Sequence, residues 1–572
     1  MGARRAAAWL IGLAVLLLGI LCTHPSTGWI ARVCWSYAVA KSPVLLTAAR
    51  SLGIRSDLVR ETPNAAQEVV SRVLMEAERR ADNPADALFV AQYDPRTGHW
   101  RPPREALPFL ERLAEGFPER PEPAAALCVA CTDILRFDRE AEQAALSAQP
   151  SPIRSFQLSP LERARNEQTL EMLLRAARRG KRADPGNGFF PSMLSVALFA
   201  GHRDQEALEA LHRAGGSARW DDYVFIEPAE HMRLQQLVFG RQPAVVSELE
   251  RAAVLLPHLG RFREAIRVAL YHAVRAEQQG DYRTGLAIRK DIAQCAMVMG
   301  RSSRTMIQAL VAAALTTTAA TWPAGRVRLG GSRLPPDELA RRREAAFLGF
   351  VRTQEGPASA AWFASQIRNA HEVREVARAA AEHGAFEPPY RAIAIGWSLG
   401  AAMLACCLWC LGMAVLTQIL LRTRKEMWQI AALGLIAIGS AAWLARCVYA
   451  NVAILTMLSD VYGLLEASAK EGWVSHASLM AGAAGTLVVL GSILPAVIGV
   501  LAGKFTSAGM MRGAALGLAA AAFGYCLACG LVCVLIVRQE NRTVRILQQM
   551  HQSELVYAAR LLGKPVPWQA PP

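Results

Sequence analysis

Apolar residues follow two regimes along this chain of 572 residues. Between 391 and 537 they run almost unbroken, parted only by short polar breaks. Ala392–Leu421, Ala477–Gly503 and Gly513–Val537 hold 30, 27 and 25 residues without a charge, and Met427–Leu458 carries only Arg446. The aliphatic stem of that arginine lets its head reach an interface. A bilayer core of about 30 Å is crossed by about 20 helical residues, so the pattern predicts four transmembrane helices. At the other end, Ala6–Cys22 is a run of 17 apolar or small residues behind Arg4 and Arg5. It reads as an uncleaved anchor or a signal peptide. The anchor is favoured, because no small-residue cleavage site follows closely and Leu21 before Cys22 does not suit lipoprotein processing.

The stretch from 57 to 388 has the opposite pattern, with apolar residues at helical spacing among many charges. Thr62-Pro63 reads as a helix start, and Ser159-Pro160-Leu161-Glu162 as a capping box opening a helix to about Arg179. Gly180, Gly201, Gly240, Gly260, Gly280 and Gly300 read as punctuation between successive helices. Two further helices are predicted over 336–354 and 358–383, beyond a Gly/Pro/Arg-rich break at 323–336. Phe89–Trp100, where Tyr93 to Trp100 reads as a small hairpin, is the one strand signal. The expected fold is all-α. It places an extracytoplasmic α-solenoid or helical-repeat-like domain between an N-terminal transmembrane helix and a C-terminal four-helix transmembrane bundle. The divisions are 1–30 (anchor or signal peptide), 57–322 (helical-repeat-like domain), 323–390 (linker and two juxtamembrane helices), 391–537 (membrane block) and 538–572 (tail).

Small residues recur where paired helices would touch. Ala106, Leu110, Leu113 and Pro118 have the spacing of a second helix and its closing proline, with Pro121–Leu135 opening the next pair. Gly201, Ala207, Leu211 and Ala214 repeat the inter-helix turn and second helix. Gly260 with Ala265, and Gly280-Asp281-Tyr282 with Gly285-Leu286, echo it more faintly. This resembles the tetratricopeptide-like superfamily of helical repeats over about residues 60–320. The large first-position residue is missing, and the glycines do not recur at 34 residues. The resemblance implies stacked antiparallel helix pairs and protein or peptide partners. It carries over no individual binding residue, and an irregular α-helical bundle with the same small-residue spacing is the alternative.

Charge sets the orientation. Cytoplasmic loops carry the Lys/Arg excess. The breaks at Arg422-Thr423-Arg424-Lys425 and at Lys504 to Arg512 are therefore expected inside, and 459–476, with Asp460, Glu466 and Glu471 against Lys470, outside. The chain then enters and leaves the membrane block from outside, although the tail beyond Val537 has five basic and two acidic residues. Arg4 and Arg5 ahead of the first apolar run agree. The net charge of +15 raises the question of nucleic acid, but only seven of the 63 basic residues are Lys. The arginines are scattered among Ala and Glu rather than gathered in a stripe, so nucleic acid is not an expected partner. Seven of the twelve cysteines lie in the membrane block and Cys22 closes the first apolar run. Cys34, Cys128, Cys131 and Cys295 make no disulfide framework.

Candidate chemistry is sparse. Gly396-Trp397-Ser398-Leu399-Gly400 spells a nucleophile elbow, but inside an apolar helix, where Gly396 and Gly400 read as a helix-packing face. Cys128-Val129-Ala130-Cys131 has redox spacing but falls mid-helix. His371-Glu372-Val373-Arg374-Glu375 lacks the second histidine of a zinc-protease helix, and His383 is too far on. Cys406 and Cys410 share one helix face, and Cys526, Cys529 and Cys533 another. With Gly524, Ala528 and Gly530 around them, close packing is the plainer reading. Gly499/Gly503 and Gly513/Gly517 extend that small-residue spacing, and Pro495 is expected to kink its span. There is no Gly-Lys-Ser/Thr phosphate loop. No catalytic, cofactor-binding or metal residue is assigned, and no cofactor is expected. The expectation is a non-enzymatic, bacterial-type multi-pass protein of the plasma membrane whose helical domain binds protein or peptide partners as a scaffold or assembly factor. A subunit of a transport or export complex is the alternative; against it, outer domains of that layout usually carry β-structure, and Arg446 is the one intramembrane ionisable candidate. An intramembrane enzyme would need facing polar pairs within the spans.

Overall fold

The computed structural model describes residues 2–23, 74–80, 83–92, 101–146, 159–226, 256–320, 336–385, 390–421 and 507–568, with scattered positions between 229 and 237 and between 434 and 502. Among them 84% are helical and none lies in a strand, so the all-α class holds. An isolated parallel bridge joins Asn187 to Arg219. The chain divides into two units, one of residues 70–234, 254–387 and 548–572, the other of 1–69, 235–253 and 388–547.

The first unit is built from antiparallel helices laid side by side. α2 (Pro84–Gln92), α3 (Pro103–Gly116), α4 (Pro121–Ile134), the short α5 (Glu140–Ala145), α6 (Pro160–Ala183), α7 (Phe189–Ala200) and α8 (Asp204–Gly215) form its first half. α9 (Pro257–Gln278), α10 (Tyr282–Arg301), α11 (Met306–Ala319), α12 (Pro336–Glu355), α13 (Pro357–Glu382) and α16 (Glu554–Leu561) form its second. The hairpin α7–α8 stacks on the hairpin α9–α10, α7 against α9 and α8 against α10. α7 is buried from Phe189 to Phe199; a helix apolar on every side belongs inside. Its serines are turned inward as well, Ser192 Oγ donating to Gly188 O at 2.8 Å.

Local signals explain several boundaries. Ser159 and Glu162 make the expected reciprocal cap of α6, with Pro160 at its first position. The glycines divide by role. Gly201 closes α7, and Gly280, at φ +86°, turns α9 into α10. Gly180, Gly260 and Gly300, expected between helices, lie within α6, α9 and α10. At Gly180 the reason is space: a Cβ there would stand 2.0 Å from Cε1 of Phe190. Residues 89–92 of the expected strand stretch are helical instead. Asn83 Oδ1 accepts Ala85 N–H at 3.2 Å, and Pro84 follows at the first helical position, so a helix start overrides the strand-like run. Thr62-Pro63, Gly240 and the expected hairpin, 93–100, lie outside the described residues.

The second unit brings together α1 (Gly2–Thr23), α14 (Tyr390–Leu420) and most of α15 (Ser507–Gln552). Ala7, Cys407, Trp409, Cys410, Leu518, Ala522 and Cys526 belong to one apolar cluster. The thiols of Cys407 and Cys526 donate to carbonyls of neighbouring helices, Ala522 O at 3.3 Å and Ala14 O at 3.6 Å. Among the described residues one helix, Ala508–Gln552, is long and apolar enough to cross a membrane. The expected spans Met427–Leu458 and Ala477–Gly503 lie outside them apart from single helical positions. Arg422 to Lys425, Arg446, 459–476, Pro495, Gly499, Gly503 and Lys504 lie wholly outside.

Candidate functional site

Three buried or half-buried polar clusters stand out in the helical unit. The deepest sits at the N-terminus of α11. Thr305 and Gln308 form a capping box there, and Gln308 Nε2 also donates to Asp222 Oδ2 at 2.7 Å. His258 Nε2 lies 3.1 Å from the same oxygen, with Phe189 edge-on to the imidazole at 5.5 Å. Asp222, His258 and Gln308 are all buried, and His258 Nδ1 has no partner among the described residues. An imidazole–carboxylate pair is half of a nucleophile-activating relay. His258 is wholly buried, and the cluster ties α9, α11 and the loop at 219–223 together.

The second cluster joins α8 to the start of α5. Arg139 grips Asp204 with two bonds of 2.6 and 2.9 Å, and also donates to Glu142 and to Phe199 O at the end of α7. His272 Nε2 is 2.9 Å from Asp204 Oδ2. Burial pushes the Asp204 carboxyl up, but Arg139 and His272 together outweigh it and hold the group below the usual carboxylate range. In the third, Tyr223 O–H and Arg219 Nη2 both donate to Asp184 Oδ2, at 2.6 and 2.7 Å. Burial, with that bond, raises the phenol to about 12. In each of these clusters the carboxylate is held by at least two neighbouring side chains.

The C-terminal segment adds a contact that no local sequence signal announces. Glu554 N–H donates to Arg304 O at 2.9 Å, and its carboxylate accepts Met306 N–H at the N-terminus of α11. Leu555, Ala558, Ala559 and Trp568 are buried in the same core as α10, α11 and α13. The indole of Trp568 packs against Gly300, where a Cβ would stand 2.4 Å from a ring carbon. Lys564 Nζ is 3.6 Å from Glu375.

The sequence-derived candidates stay dispersed. Cys128 and Cys131 are buried in α4; burial drives the Cys128 thiol well up and the Cys131 thiol to about 12, the reverse of a reactive pair. His371 pairs with Glu344 of α12 at 3.1 Å, and His383 Nδ1 meets Ala379 O at the end of α13. Gly400 packs against Val532 of α15, and Cys529 Sγ lies 3.7 Å from Gly400 O; the side chain of Ser398 is outside the described residues. Among the described residues no group of three His, Cys, Asp or Glu is arranged to hold a metal ion.

What remains is surface. α11 carries no charge from Met306 to Ala319. Its inner face is buried, while Ile307 and Leu310 stand 59% and 37% exposed. Tyr282 of the neighbouring α10 is also exposed, and no polar side chain of α11 interrupts the Ile307–Leu310 face. Comparison of the chain with models of protein families, with curated proteins and with solved structures gives no match.

Proposed function

We propose that this is a multi-pass membrane protein that presents a helical-repeat domain on the extracytoplasmic side for protein–protein interaction, as a scaffold or assembly factor. The observation that carries the reading is the like-on-like stacking of hairpin α7–α8 on hairpin α9–α10. Units stacked in one direction share a continuous core and leave an extended outer surface. The long uncharged runs Ala392–Leu421 and Gly513–Val537 support the membrane assignment, and the basic breaks between spans support the sidedness. The polar clusters serve packing, which favours a binding role over a catalytic one.

Co-purification from detergent extracts tests it. A partner is expected to be retained by the native chain, and to be lost from Ile307→Arg/Leu310→Arg while the melting temperature stays unchanged. Recovery of the protein alone, in several detergents and after crosslinking, would refute the scaffold role.

A further inference from the structure

We infer that the helical domain and the C-terminal segment lie on one side of the membrane, so that the chain between Glu387 and Ser553 crosses the bilayer an even number of times. This rests on reading the long apolar helices as membrane spans. It does not rest on loop charges, which for the basic tail pointed weakly the other way.

The segment is built into the domain. Ser553 caps α16 through Val556 N–H, Glu554 bonds the backbone on both sides of Thr305, and Trp568 closes over Gly300. Residues 548–572 group with 70–234 and 254–387 in one compact unit. Such a unit cannot straddle a bilayer. Exposed charges lie on several of its helices, among them Arg203, Glu206, Arg378 and Glu382, and hydrocarbon would leave them unsatisfied. Both segments must therefore be in one compartment when the domain is folded.

Parity then excludes specific topologies. α15 alone, the one described helix that meets the length and composition of a span, would put Glu554 and Met306 on opposite faces. It needs a companion crossing. α14 is the described candidate, 31 residues long, and its run from Ala392 to Leu421 is uncharged. With α14 and α15 both crossing, the even count is met.

The test uses the full chain in sealed vesicles of one known orientation. Sites for a sequence-specific protease are placed singly within 147–158 and after Trp568. Each variant is treated from one side at a time, with alkaline extraction as a control for integration. Both sites are expected to be cut from the same face and spared from the other. Cleavage of the two sites from opposite faces, in protein that resists extraction, would overturn the inference while leaving the membrane reading intact. Extraction by alkali would overturn the membrane reading, and with it the crossings between Glu387 and Ser553 that the inference counts.

Discussion

Arg289 and Glu277 face each other across the hairpin α9–α10 with both side chains wholly buried, Nε to Oε1 at 2.6 Å. The guanidinium also donates to Ala319 O at the end of α11 at 2.6 Å, and its carbon lies 4.9 Å from the ring centre of Phe347 in α12. One ion pair thus touches four helices. Gly285 makes room for it, since a Cβ there would stand 2.5 Å from Glu277 Cγ.

Removing one partner is expected to cost far more than removing both. Arg289→Met leaves a buried carboxylate uncompensated, a loss of about 3–5 kcal/mol. Arg289→Met combined with Glu277→Leu is expected to recover most of that loss, because an apolar pair of similar volume avoids the desolvation cost of the charges. Thermal unfolding of the purified single and double variants measures it. Equal destabilisation by both would show that the pair contributes through packing alone.

Gly300→Ala is expected to expel Trp568, since backbone on one side and the indole on the other leave no slack for a methyl. Overpacking of this kind costs about 1–3 kcal/mol. The readout is limited proteolysis beyond Gln552: the segment becomes sensitive in Gly300→Ala and stays protected in Gly300→Ala/Trp568→Ala. Protection in both would mean that the indole can shift without leaving.

Glu554 gives the docking of the C-terminal segment a pH dependence. Burial raises its carboxyl, opposed by the Met306 N–H bond and by His551. A raised acid favours its protonated form when docked. Its contribution is therefore complete below the ordinary glutamate value, near 4.5, and is lost as pH climbs through the raised value. Protease sensitivity beyond Gln552 is expected to increase over that window. Glu554→Gln, neutral throughout, is expected to flatten the profile and to protect the segment at pH 7.

The thiols of Cys128, Cys131 and Cys295, all raised chiefly by burial, are expected to resist an alkylating reagent at pH 8 until the chain is unfolded. Peptide mapping before and after denaturant reads this directly. Labelling of Cys128 in the native protein would return it to consideration as a reactive group.

α1 packs in one cluster with α14 and α15 through Ala7, Leu10, Ile11 and Leu17, which suits a retained anchor better than a leader. Intact mass of the protein purified from membranes is expected to include Ala6–Cys22. A mass lacking those residues would reassign the segment to a signal peptide.

Much of the helical unit is legible in sequence because its instructions are local. Ser159, Pro160 and Glu162 specify a helix start within four residues, and the Gly201 turn sits between an apolar run and an amphipathic one. Misreadings arise where a distant side chain decides. Gly180 reads as a helix stop until Phe190 is seen to need its bare Cα, and Phe89 reads as strand until Asn83-Pro84 is given priority. The contacts of Glu554 with Met306, 248 residues apart, and of Trp568 with Gly300 have no local signature. Neither has the polar tie of Asp222, His258 and Gln308, whose members come from three separate elements.

The seat of Glu554 on α11 also orders the protein's biogenesis. α10 and α11 are synthesised well before α16, yet the N–H group of Met306 and the bare Cα of Gly300 are covered only by Glu554 and Trp568. The core of this unit is therefore finished only once residues 553–568 have been made, and until then that part of α10 and α11 stays uncovered.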